Sequence, residues 1–127
     1  MPIFRRVALC ALLSSNILGL GVQAQTDNTV YGTSAGDKIS TGDENVLIGV
    51  NAGGSITYAS DNVVIGTNAG ANMTYRGENV FIGYHAGMDC TSCYDGTFVG
   101  YKAGEAVTTG GDNTFIVSLS SNGHILE

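Results

Sequence analysis

The chain has 127 residues, with 5 Lys plus Arg against 11 Asp plus Glu, 19 Gly, one Pro and no Trp. This length suits a single domain, and a charged content of 13% is too low for a highly charged disordered tail. A net charge of −6 excludes the basic face that a nucleic-acid binder needs, so no nucleic-acid partner is expected. Abundant small residues and scarce aromatics point instead to turn-rich, repetitive β structure.

Residues 1–24 read as a signal peptide. Arg5 and Arg6 make a basic start, Val7 to Leu13 and Ile17 to Val22 are apolar, and Val22-Gln23-Ala24 resembles a small-x-small cleavage site. Ser14, Ser15 and Asn16 interrupt an apolar stretch already shorter than the roughly 20 residues of a membrane span. The mature chain is therefore expected to carry no span and to be exported, either extracellular or at a cell surface such as the outer membrane. It keeps Lys38, Arg76 and Lys102 as its fixed cations; these three against 11 acids give a net charge of −8. Its cysteines, Cys90 and Cys93, would then lie where disulfides persist.

From residue 28 onward a 17-residue repeat dominates. Asn28, Asn45, Asn62, Asn79 and Asn113 fall on one grid, with Gly96 at the remaining point. The segments read NTVYGTSAG, NVLIGVNAG, NVVIGTNAG, NVFIGYHAG and GTFVGYKAG, then a divergent NTFIVSLSS. An acid precedes each later grid point: Glu44, Asp61, Glu78, Asp95 and Asp112. Such a unit is too short for a helical hairpin, and its β-branched triplets bounded by turn residues read as strands. A second, weaker strand is expected over Ile39, Ile56, Met73, Cys90 and Val107. Two short strands and two turns per unit make one coil of a parallel β-solenoid, a β-roll, in an all-β fold. Six rungs about 4.8 Å apart would stand roughly 24 Å tall. Residues 25–112 form the five-repeat solenoid, and 113–127 a divergent last rung. There, Ser121-Asn122-Gly123 between apolar runs signals a C-terminal β-hairpin cap.

Alternate strand residues share a face, so Val46, Val63 and Val80 group with Ile48, Ile65 and Ile82. Their uniformity suits a coil interior. The column between them, Val30, Leu47, Val64, Phe81, Phe98 and Phe115, is then expected to point outward. Six such side chains would contribute about 1.5–3 kcal/mol each when buried, too much to leave in water. This stripe is the expected oligomer interface, in a closed cyclic arrangement. The alternative is a wider coil that buries both faces.

Gly-Asp/Glu-Asn-Val-x-Ile-Gly-x-x-Ala-Gly, clearest at 42–53 and 77–87, resembles the head repeats of YadA-type trimeric autotransporter adhesins. The resemblance covers about 28–117, with a unit here a few residues longer. It implies a left-handed β-roll forming a homotrimer on a bacterial surface and used for attachment, with a host matrix protein or glycan as partner. Similar repeats in phage tail-fibre-like proteins leave a non-binding spacer or head module of a fibre as the alternative.

Candidate chemistry is sparse. Cys90-Thr91-Ser92-Cys93 occupies a rung and its turn rather than a helix start, which favours a structural disulfide over a redox pair or a metal site. The acidic column has oxygen ligands suited to calcium, yet the G-G-x-G-x-D pattern is not matched and turns favour Asp on their own account. His85 and His124 are the only histidines, and no separate catalytic set punctuates the repeats, so neither an enzyme nor a cofactor is expected. Ser40, Thr57, Thr74, Thr91 and Thr108 make a hydroxyl column of the kind a carbohydrate- or ice-binding solenoid presents. Tyr84 and Tyr101 are candidates for surface binding.

Overall fold

A computed structural model describes residues 27–117. The expected signal peptide at 1–24 and the terminal hairpin around Asn122-Gly123 lie outside these residues. Eight three-residue strands follow in order: β1 (Thr29–Tyr31), β2 (Val46–Ile48), β3 (Val63–Ile65), β4 (Val80–Ile82), β5 (Ser92–Tyr94), β6 (Thr97–Val99), β7 (Thr109–Gly111) and β8 (Thr114–Ile116). One sheet has the order β1-β2-β3-β4-β6-β8 and the other pairs β5 with β7. Every pairing is parallel and every register step is one repeat, as in Val46↔Val63 and Val63↔Val80. The chain is an all-β parallel β-solenoid with a period of 17 residues.

Strands β1–β4 and β6 are short because each meets a glycine corner at once. Gly49, Gly66 and Gly83 have φ of 132°, 133° and 139°, and a Cβ there would collide with the backbone of the glycine one rung on. No residue with a side chain fits that stack. Two further corners use left-handed residues with side chains. The acids Glu44, Asp61, Glu78, Asp95 and Asp112 have φ between 52° and 64°. Ser34, Asn51, Asn68, His85 and Lys102 have φ of 55–58°.

The pleat runs opposite to the sequence expectation. Leu47, Val64, Phe81 and Phe98 are fully buried in the single chain, whereas Val46, Ile48, Val63, Ile65, Val80 and Ile82 are only partly buried. Val30 packs partly against the core, and Phe115, in the last described rung, is 37% exposed. Leu47, Val64, Phe81 and Phe98 therefore fill the coil, and the column Val30, Leu47, Val64, Phe81, Phe98 and Phe115 is not the outward stripe expected as an oligomer interface. Alternation ties neighbouring columns to opposite faces but does not say which face is inside. The glycines across the same coil decide it: a Cβ on Gly53 would lie 2.9 Å from Leu47 Cδ2, and one on Gly104 would lie 2.7 Å from Phe98 Cδ2. Their bare backbone leaves the room that the bulky column occupies. Phe81 and Phe98 stack at 4.8 Å, and Phe98 and Phe115 at 5.0 Å, so one interior column becomes an aromatic pile.

Facing this column are the buried alanines 35, 52, 69, 86 and 103, together with Ile39, Ile56, Met73 and Cys90. That second apolar column is interior, and the second strand expected over it forms, among the described residues, in two rungs only, as β5 and β7, which begin two residues later. Cys90 and Cys93 are joined by a disulfide inside the coil.

Candidate interaction surfaces

Four regular surfaces surround this core. On the first, the outer face of the six-stranded sheet, Val46 and Ile48, Val63 and Ile65, Val80 and Ile82, and Val99 are partly exposed. Tyr31 and Ile116 at its two ends are 62% and 74% exposed. Beside it, two residues beyond the sheet, stand exposed Val50, Tyr84 and Tyr101.

The second surface is a polar ladder along the left-handed corner. Asn51 Nδ2 donates to Asn68 Oδ1 at 2.9 Å, and Asn68 Nδ2 meets His85 Nε2 at 3.1 Å. His85 Nδ1 lies 2.8 Å from Glu105 Oε1, and Lys102 Nζ lies 3.2 Å from Glu105 Oε2. Because the Asn68 oxygen already accepts from Asn51, its amide donates to Nε2, leaving the His85 proton on Nδ1 facing Glu105. The hydrogen bond from His85, with Lys102 beside it, holds the Glu105 carboxyl below its ordinary range despite partial desolvation. Glu105 in turn raises Lys102. Tyr84 stacks on His85 at 3.9 Å and on Tyr101 at 5.4 Å, so this expected binding pair already uses its rings on each other.

The third surface is the acidic corner. Glu44 shares a hydrogen bond with Asp61, and Glu78 with Asp95; these contacts, then carboxylate repulsion, raise both glutamates above their ordinary range. Ser60 Oγ donates to Asp43 Oδ1 at 2.7 Å. Among the described residues, no group of three or more His, Cys, Asp or Glu is arranged to hold a metal ion.

The fourth lies on the side of β5 and β7. Hydroxyls of Thr57, Thr74 and Thr91 donate to the carbonyls of Thr74, Thr91 and Thr108 at 3.0–3.1 Å. The threonine column thus spends its donors on the backbone of the next rung. Next to it, Tyr58 and Tyr75 stack at 6.0 Å with 7° between their planes, and Arg76 caps the Tyr94 ring at 5.0 Å. Sequence reasoning passed over these residues; the repeated Tyr in adjacent rungs was its one available signal.

No protein-family model matches the chain, no curated protein is similar to it, and no solved structure matches it. The resemblance to trimeric adhesin heads therefore rests on the repeat columns and the solenoid they build. Among the described residues no helix is long and apolar enough to cross a membrane.

Proposed function

We propose that the chain is an exported, non-catalytic β-solenoid with a structural and adhesive role, working as a homotrimer. The supporting observation is the outer face of the six-stranded sheet. All-parallel sheets are ordinarily covered on both faces, and their strands read as continuous apolar runs. VLI, VVI and VFI are such runs, and the coil covers only their inner side. A second copy of the same face is the partner that matches it rung for rung.

The face measures roughly 24 Å by 10 Å, from six rungs and three-residue strands. That is well under the about 800 Å² per partner of a stable two-body contact. A closed ring in which each copy meets two neighbours, with Val50, Tyr84 and Tyr101 at the rim, covers more of it. The Val30-to-Phe115 column has no part in this contact. Adhesion then follows from presenting the remaining surfaces in three copies, which raises avidity towards a matrix protein or glycan.

Light scattering after size exclusion tests the assembly on segment 25–127. A trimer that Ile65→Asp converts to a folded monomer supports the reading. A wild-type monomer at micromolar concentration, or a trimer indifferent to Ile65→Asp, overturns it.

A further inference from the structure

We infer that Tyr58, Tyr75, Arg76 and Tyr94 form a binding site for a neutral polysaccharide running along the solenoid axis. The site goes beyond self-association; it rests on the adhesive reading but not on the oligomeric state.

Arg76 is the key. In the rungs before and after, the equivalent residues are Ala59 and Cys93, each 1% exposed and turned into the coil. Arg76 instead has φ of 69° and is exposed. A long side chain in the left-handed region, adding nothing to the core, is the kind of local departure that marks a functional position. Its surroundings sharpen the point. Acids line the neighbouring corner, yet among the described residues Arg76 forms no ion pair and sits over the Tyr94 ring. Guanidinium donors are thereby left pointing to solvent on an aromatic shelf.

The shelf is held in place from below. A Cβ on Gly111 would run into the Tyr94 ring, so that ring lies against the bare backbone of the next rung. In the column two residues earlier in the repeat, Tyr75 and Tyr58 form a stacked row, 56% and 60% exposed. Tyr58 has no aromatic neighbour towards the first rung, where Thr41 holds its column, so its outer face is open. Phenol hydroxyls, one guanidinium and exposed ring surface, with Tyr58 and Tyr75 stacked 6.0 Å apart, match the hydroxyls and apolar C–H faces of sugar rings in an extended chain. Charge decides between glycan classes. Asp61, Glu78 and Asp95 flank the row and would repel a polyanion, which one arginine cannot offset.

The test is a depletion assay of the secreted chain on cellulose, chitin and xylan, with heparin as the polyanion and a tyrosine-free protein surface as blank. Binding to at least one neutral polymer is expected, with Arg76→Ala and Tyr75→Ala each weakening it about tenfold or more. Arg76→Gly separates recognition from scaffolding: glycine relieves the left-handed backbone, so the melting temperature should rise while binding falls. Failure to bind any neutral polymer, binding confined to heparin, or binding that survives both alanine variants overturns the inference. With the trimer intact, such a failure sinks this site alone; a monomer that still binds glycan sinks the assembly alone.

Discussion

The side-chain amide of Asn62 donates to Asn45 Oδ1 at 2.8 Å, and the backbone N–H of Asn62 shares that acceptor at 3.2 Å. Asn79 repeats both bonds onto Asn62 Oδ1 at 3.1 Å, and the N–H of Gly96 reaches Asn79 Oδ1 at 3.0 Å. These three asparagines are wholly buried, so the ladder is the polar spine of an otherwise apolar coil. Asn45 adds a bond to Ala59 O at 2.9 Å across the coil.

Asn62→Ala removes the acceptor of the Asn79 N–H, while the Asn79 amide keeps Gly77 O and Cys93 O and the Ser60 carbonyl keeps the Glu78 N–H. An orphaned buried donor costs about 1–3 kcal/mol, so the variant should lose roughly that amount. Urea unfolding measures it. A loss under about 1 kcal/mol would show that water replaces the ladder without penalty.

The interior pairing of Phe81 with Gly87 makes a second prediction. A Cβ on Gly87 would lie 2.8 Å from Phe81 Cδ2, and Gly87 has φ of 58°. Gly87→Ala should cost about 2–4 kcal/mol from steric overlap and left-handed strain together. Phe81→Val recreates the Val64 rung and removes the overlap. The double variant should be less destabilised than the two singles added, by about 1 kcal/mol or more. Strict additivity would contradict this account of the glycine column.

Acid and base act in opposite directions on two sets of carboxyls. Glu44 and Glu78 are raised, so their contribution is full below the unfolded value of about 4.5 and is lost as pH climbs through their folded values. Glu105 is lowered, so its contribution holds above that unfolded value and is lost as pH falls through the folded one. Glu44→Gln with Glu78→Gln should raise the melting temperature at pH 7 and change it little at pH 3. Glu105→Gln should lower it at pH 7 and matter little at pH 3. Melting scans across this range check both, and a reversed sign for either set would refute the assignment.

The disulfide closes a short loop, from Cys90 to Cys93. Chain-entropy reasoning gives such a loop about 2 kcal/mol. Both cysteines are buried, so a reductant should act slowly on the folded chain. Once reduced after unfolding, the refolded protein should be weaker by about that amount in urea. Rapid thiol release from native protein would contradict the buried position.

The period, the parallel stacking and the first strand of each rung are legible in the sequence, because each depends on a column repeated every 17 residues. Val46, Val63 and Val80 align in sequence and pair in the sheet for the same reason. The glycines of the corners, such as Gly49 and Gly66, recur on the same grid because their backbone demand is local. The tertiary structure alone decided which side of the sheet is inside. Alternation makes Leu47 and Ile48 opposites without favouring either, and the choice rests on the space left by glycines such as Gly53 on the far side of the coil. Nor was the outward turn of Arg76 legible, since its column holds Ala59 and Cys93 in adjacent rungs and reads as interior. That turn is a backbone event, visible only once the coil has closed around the neighbouring rungs.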